Sequence, residues 1–269
     1  MFAARHRHPV IVLAHGSGSR LATVASGTHK TIEEVFGRPV LWWLLREVEA
    51  TGMTGPTIIS LRQEDPAVRA VAATCAPGAE IRFRLPTGYL PDVYAYSREY
   101  GPRFTVIEAD TVTHPGSLRN FLLLAERIGA DADLCVGVGP ATANPNGPAV
   151  VVDDRGLVAT MTWTGPPTGV VPLAAWHWTS QLLDDAAEFS KRSTSTADYI
   201  AWAVPHGARV VPIGIPAGFN INTPADLNAA RGGIARWFGY PASVSTPPVS
   251  TRQGDQRPWG SLSSPAQPA

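Results

Sequence analysis

Lysine is nearly absent from this chain. Of its twenty-two basic residues only Lys30 and Lys191 are lysines. So strong a bias toward arginine singles out a retained lysine as a place where a compact, flexible ammonium serves better than a planar guanidinium fork. Net charge is missing too. The 22 acidic residues balance the 22 basic ones, which argues against a general binder of nucleic acid or of an anionic membrane, since either needs a basic excess. No apolar run approaches the roughly 20 residues of a membrane span, and Val10–Ala14 is too short for a signal-peptide core. The two cysteines, Cys75 and Cys135, make no C-x-x-C motif and no metal set. They read as buried, idle thiols of a cytoplasmic protein. His15, His114 and His177 are scattered without metal-ligand spacing, and Arg5-His-Arg-His8 reads as a solvated leader.

What the chain does have is alternation. Apolar, β-rich runs at Val10–Ala14, Thr57–Leu61, Ile81–Leu85, Phe104–Glu108, Leu134–Val138, Ala149–Val152 and Val210–Ile215 predict strands. Between and after them, Pro39–Ala50, Ala67–Thr74, Asp92–Tyr100, Ser117–Ile128, Leu182–Ser190, Thr196–Val204 and Pro224–Trp237 predict helices. The last has a capping threonine (Thr223), a proline in the first turn and an acid at Asp226. Alternation of this kind predicts a three-layer α/β/α fold, a mixed but mostly parallel sheet with helices on both faces. Val10–Ala14 and Phe104–Ile107 are nearly continuous apolar runs, as expected of central strands buried on both faces. Val150–Gly156 and a strand near Leu157–Thr162 predict an antiparallel excursion, and Trp163–Gly169 a loop. Trp42, Trp43, Trp176 and Trp178 read as core or interface aromatics, and Asp153-Asp154 and Asp184-Asp185 as solvated pairs. Residues 1–239 read as one domain. From about Tyr240 the chain is dominated by Pro, Ser, Thr, Gly and Gln, a composition that predicts a disordered tail over residues 240–269.

The candidate chemistry begins after the first strand. In Ala14-His-Gly-Ser-Gly-Ser-Arg20 the glycines allow backbone amides to approach a ligand closely. Arg20 can grip phosphate oxygens in a bidentate fork, and Lys30 follows ten residues later. The loop is not a Walker A motif, and it lacks the third glycine of a dinucleotide fingerprint.

Taken together, Leu13-Ala-His-Gly-Ser-Gly-Ser-Arg20-Leu, then Lys30, then Gly37-Arg-Pro-Val-Leu-Trp resembles the opening of the nucleotidyltransferase superfamily, with its sugar-phosphate nucleotidylyltransferases and molybdenum-cofactor guanylyltransferases. Phe104-Thr-Val-Ile-Glu-Ala-Asp110 resembles the superfamily's strand ending in G-D. Phe219-Asn-Ile-Asn-Thr-Pro-Ala-Asp-Leu227 resembles its late D-x-x-T-P-E-D-L segment. The likeness covers roughly residues 9–236, with the three motifs in order. It implies a GT-A-like (Rossmann-like) fold and a transferase that moves an NMP from an NTP to a phosphorylated small molecule and releases pyrophosphate. It implies that Leu13, Ala14, His15, Gly16, Ser17, Gly18, Thr87 and Gly88 hold the nucleotide and that Lys30 and Arg20 neutralise phosphates. It also implies Mg²⁺ on Asp110, with Asn220 as a second metal ligand and Asn222 as the neighbouring alternative. The sequence departs from the pattern at His15 and Ala109, which replace glycines, at His29, which replaces proline, and at the two asparagines. Two other functions therefore stay open: a non-catalytic nucleotide-binding regulator of the same fold, and a nucleotide-sugar-dependent glycosyltransferase, which needs a D-x-D motif that Asp110-Thr-Val does not supply. The base, the acceptor and the oligomeric state, a homo-oligomer included, stay open as well.

Overall fold

A computed structural model describes residues 8–16, 29–52, 55–129, 131–163 and 169–240. The expected tail and Ser17, Gly18 and Arg20 of the glycine loop lie outside the described residues.

The order of elements is β1 (Val10–Ala14), β2 (Glu34–Val35), β3 (Arg38–Pro39), α1 (Val40–Glu49), β4 (Thr57–Leu61), α2 (Pro66–Cys75), β5 (Glu80–Phe83), α3 (Tyr89–Tyr100), β6 (Arg103–Glu108) and β7 (Thr111–Thr113). It continues with α4 (Ser117–Ile128), β8 (Leu134–Pro140), β9 (Ala149–Val152), β10 (Val158–Thr162), β11 (Val170–Thr179), α5 (Ser180–Leu183), α6 (Ala186–Phe189), α7 (Thr196–Ala203), β12 (Val210–Gly214), β13 (Gly218–Asn220) and α8 (Pro224–Trp237). The main sheet has nine strands in the order β10-β9-β11-β6-β1-β4-β5, with β8 on β11 and β12 on β8. Pairing is parallel in β6-β1-β4-β5 and in β12-β8. β11 runs antiparallel to β6, β8 and β9, and β10 antiparallel to β9. Only β11 and β10 therefore oppose the common direction, and the sheet is mixed but mostly parallel.

The period of two along each strand explains the layers. Val10, Val12, Ala14, Ile59 and Ile107 pack with Leu41, Leu44, Val68, Leu118 and Phe121 of α1, α2 and α4. Ile11, Ile58, Phe104 and Val106 point the other way, onto Leu90, Val93 and Tyr96 of α3 and Tyr199 and Ile200 of α7. Helix starts follow local chemistry. Asp65 caps α2 through the amides of Ala67 and Val68, at 2.8 and 3.2 Å. α4 has no side-chain cap of its own; Glu47 of α1 reaches across and accepts from the Gly116 amide at 2.7 Å. Both cysteines are free and buried, and burial pushes the Cys135 thiol up to about 12.

β11 and the α5–α6 pair are among the elements that differ from the expectation. β11, the longest strand, carries no clean alternation, because Pro172 and Ala174-Ala175 interrupt it. A bulge lies between Pro172 and Trp176, with Ala174 at φ 66°, and pairing to both β6 and β8 imposes the extended state. The single helix expected over Leu182–Ser190 is instead α5 and α6, broken at Asp184-Asp185.

A small ribbon stands beside the main sheet. β7, just past the end of β6, pairs antiparallel with β13, matching Thr111 to Asn220. The amide of Ile221 donates to the Asp110 carbonyl at 2.8 Å. Helix α8 presses on β13 so closely that a Cβ on Gly233 would stand 2.1 Å from Phe219 Cζ. The late segment is thereby fixed against the end of β6.

Candidate active site

The site forms where β1 and β6 end, at the carboxyl edge of the parallel strands, as is usual for open α/β sheets. The Ala109 amide donates to the Leu13 carbonyl at 3.1 Å, so the two strand ends leave the sheet side by side. Lys30 lies in a short 3₁₀ turn, Lys30–Ile32. Its side chain runs over Gly16: a Cβ there would be 2.4 Å from Lys30 Cε, so any larger residue would make the lysine tip shift. The ammonium donates to Asp110 Oδ2 and reaches Asn222 Oδ1 at 3.3 Å. Asn222 Nδ2 in turn donates to Asn220 Oδ1. The Lys30 and Asp110 side chains are only 12% and 15% exposed. Residues expected to act together from three separate motifs are thus in one hydrogen-bonded group.

Each member has a local support. His29 Nε2 donates to the Ala14 carbonyl at 2.9 Å, and its Nδ1 faces Thr31 Oγ1 at 2.8 Å. Burial keeps this imidazole below its ordinary pKa against the pull of the Ala14 carbonyl, which suits a neutral ring bridging the end of β1 to the turn that carries Lys30. Asn222 and Thr223 donate their amides to Asp226 Oδ2 at 3.0 and 2.8 Å, while Thr223 Oγ1 accepts from the Asp226 amide. This capping box opens α8 and fixes the backbone at the two asparagines.

His15 is turned toward β4 and α3. Tyr96 donates to Ser60 Oγ at 2.6 Å; Ser60 lies 2.7 Å from His15 Nε2; His15 Nδ1 stands 3.7 Å from Asp92 Oδ2. Asp92 Oδ1 takes the amide and hydroxyl of Thr87 at 3.2 and 2.9 Å. Burial opposes the charge on Asp92, but His15 and Thr87 outweigh it and hold the carboxyl below its usual range. Gly88, at φ 133°, precedes α3. The structure therefore links Thr87 and Gly88 to His15 through Asp92, and it places Gly16 beneath Lys30. Leu13 and Ala14 contribute carbonyls already bonded to Ala109 and His29.

Glu108 is the residue that the sequence reading left unassigned. It ends β6, and Asp110 follows in the turn two residues later; Trp176 Nε1 donates to its Oε1 at 3.1 Å. Burial first, then the charge of Asp110, push its carboxyl up to about 7, against the opposing effects of Trp176 and Lys30. The available signal was an acid closing a largely apolar strand two residues before the candidate metal ligand.

The donors suit a hard cation. One carboxylate and two amide oxygens match the few protein ligands that Mg²⁺ takes when phosphates and water complete its shell. Among the described residues no cluster of three or more His, Cys, Asp or Glu could hold a metal alone. No helix among them is long and apolar enough to cross a membrane.

No protein-family model matches the chain, and no curated protein sequence does. Solved structures match it well. A protein assigned as a glucose-1-phosphate thymidylyltransferase from Bacillus anthracis, in complex with a sucrose, aligns with a TM-score of 0.71 at 16% identity, covering 85% of this chain and 95% of that one. A UDP-glucose pyrophosphorylase complexed with UDP-glucose aligns with a TM-score of 0.67 at 11% identity, covering 86% and 99%. The inositol-1-phosphate CTP transferase from T. maritima aligns with a TM-score of 0.65 at 16% identity, covering 87% and 98%. Over nearly its whole described length, this chain has the fold of the sugar-phosphate nucleotidyltransferases.

Proposed function

We propose that this protein is a Mg²⁺-dependent nucleotidyltransferase that joins an NTP to a phosphorylated small molecule, a sugar phosphate or similar. The observation that carries the reading is the convergence of Lys30, Asp110 and Asn222 over Gly16 at the ends of β1 and β6. The names of the structural neighbours agree with it: they act on inositol 1-phosphate with CTP, on glucose 1-phosphate, and as a UDP-glucose pyrophosphorylase.

In the reaction, an oxygen of the acceptor phosphate attacks the α-phosphorus, the bond to the β-phosphate oxygen breaks, and pyrophosphate leaves. Little proton chemistry is needed, so positioning and charge neutralisation dominate. Lys30 is the mobile cation: a flexible ammonium can exchange Asp110 for phosphate oxygens as charge builds on them. Arg20 serves as a second cation. Asp110, with Asn220 and Asn222, would hold Mg²⁺. When bound, Mg²⁺ supplies Lewis-acid stabilisation of the phosphate charge. Gly16 brings the backbone close to the nucleotide, and the His15–Asp92–Thr87 link holds the loop before α3 that faces it. The balanced net charge and the buried free thiols support a small-molecule enzyme of the cytoplasm.

Pyrophosphate release with a panel of NTPs, glucose 1-phosphate and inositol 1-phosphate tests the proposal, and turnover with at least one pair is expected. NTP binding without turnover on any pair would instead favour the non-catalytic reading, for which the mutual pairing of Lys30 with Asp110 and of Asn220 with Asn222 is the supporting observation.

A further inference from the structure

Two histidines lie between β1 and Lys30, and both bear on the same short stretch of backbone. His29 Nε2 holds the Ala14 carbonyl at 2.9 Å and so ties that stretch to the turn that carries Lys30. His15 ties it the other way, to β4 and α3.

The contacts of His15 run in the order of a nucleophilic triad. Ser60 Oγ lies 2.7 Å from Nε2, and Asp92 Oδ2 lies 3.7 Å from Nδ1, a hydroxyl and a carboxylate joined through the two ring nitrogens. Burial rules that chemistry out here. Ser60 is 0% exposed, so no substrate reaches its hydroxyl, and Tyr96 donates to the same oxygen at 2.6 Å. The network instead assigns a tautomer. With one lone pair of Ser60 taken by Tyr96, the serine proton goes to Nε2 and the imidazole proton stands on Nδ1, toward Asp92. Asp92 is buried, and its Oδ1 accepts the amide and hydroxyl of Thr87 at 3.2 and 2.9 Å. Satisfied polar networks of this kind rigidify what they join.

What they join are two loops that strand pairing cannot hold together. One leaves β1 and the other leaves β5, and β4 lies between those strands. Ser60 belongs to β4 and is the anchor between them. On the first loop, Gly16 directly follows His15 and passes beneath Lys30. On the second, Gly88 directly follows Thr87 and is packed from its other side by Thr194, 3.0 Å from where a Cβ would stand.

We propose that His15 is a positioning residue for the nucleotide: it sets the backbone beneath Lys30 and the Thr87–Gly88 turn at one separation before an NTP arrives, and Asp92 acts through it. Preorganisation lowers the ordering cost of binding and leaves the chemical step alone, so His15 governs affinity for the NTP and not kcat. This inference rests on the nucleotidyltransferase reading for its ligand, but its test does not need turnover.

The test is calorimetry on the full-length protein with ATP, CTP, GTP and UTP in the presence of Mg²⁺, well below the melting temperature of each variant. His15→Gly should weaken the best-bound NTP by about 10-fold, the scale of the ordering cost that one or two unfastened side chains add to binding. In turnover assays its kcat at saturating NTP should stay within about threefold of wild type. Asp92→Asn should give a similar loss of affinity, and the double variant should lose no more than either single one, since both break one link. His15→Gln, which keeps a donor and an acceptor, should recover part of the affinity. Unchanged NTP affinity in a folded His15→Gly protein overturns the proposal, as do additive losses in the double variant. A fluorophosphonate that labels Ser60 overturns it too, by showing that the serine is reachable. A wild type that binds none of the four NTPs ends the nucleotidyltransferase reading and this inference together. Binding without turnover counts against the enzymatic reading alone and leaves the affinity of His15→Gly as the deciding result.

Discussion

Strand β6 meets polar groups at both ends, buried near its start and half-buried at its finish. Near its start, Thr105 Oγ1 meets His177 Nδ1 at 2.9 Å; His177 is 2% exposed, and burial holds it neutral, with a pKa of about 3. At its finish, Glu108 and Asp110 crowd two carboxyls beside Lys30, and burial raises Glu108 to about 7. One end tolerates a neutral ring by packing around it. The other crowds two carboxyls beside a lysine and keeps the proton on Glu108 up to about 7, an arrangement that stability alone does not favour. Five predictions test how different the two ends are.

The largest effect should come from Asp110. Asp110→Asn keeps the shape and removes the charge, and turnover should fall by about 10³-fold or more, the scale of several kcal/mol of metal-assisted charge stabilisation. NTP binding without metal, measured by calorimetry, should change little. Turnover near wild type would remove Asp110 as the principal ligand. Next, Lys30→Met should lower kcat on the order of 10²–10³-fold, as when one charge-stabilising donor is lost, with a smaller rise in KM for the NTP. Lys191 is the matched control. It is 71% exposed and paired with Glu188 on the surface, so Lys191→Met should leave kcat within about twofold. Equal behaviour of the two variants would end the special role given to Lys30.

The third and fourth predictions set the two ends of β6 against each other by pH. His177 in the native state stays unprotonated down to about 3, while the unfolded chain protonates near its ordinary 6.5; the stability it contributes is therefore lost as pH falls through that window. Glu108 has the opposite sign. The native state holds its proton up to about 7, the unfolded chain releases it near 4.5, and the stability is lost as pH rises between them. In urea titrations, the stability deficit of His177→Gln against wild type should shrink by about 2 kcal/mol between about pH 7.5 and pH 5. That of Glu108→Gln should instead grow on the same acidification. Parallel slopes for the two variants would show that the two ends do not differ in charge state. The smallest effect belongs to the scaffold: Thr223→Ala should cost about 1 kcal/mol by loss of the α8 cap. A drop in kcat larger than that stability loss explains would show that the cap also positions Asn222.

Much of this was legible in the residues. Val10–Ala14 was bounded correctly because a strand buried on both faces is a continuous apolar run, and Thr57–Leu61 because β-rich, largely apolar residues fill it. Ser117–Ile128 and Pro224–Trp237 were bounded correctly because amphipathic period and capping are local signals. β11 was not legible, since Pro172 and two alanines blur its pattern and its neighbours hold it extended. Lys30, Asp110 and Asn222 could be named from motif order, but Glu108 looked like the end of an apolar strand until Trp176 was seen donating to it. The partners of His15 were equally hidden, because Ser60 lies 45 residues away.

The sequence by itself determined the layers, the starts of α4 and α8 and the identity of the charged residues, because periodicity, caps and composition act over a few neighbours. Only the tertiary structure decided that Lys30 lies over Gly16, that the β7–β13 ribbon brings Asn220 and Asn222 to Asp110, and that β11 supplies the tryptophan that aims Glu108. Those facts depend on strand order and on contacts between distant residues, and no local pattern along the chain encodes which strands become neighbours.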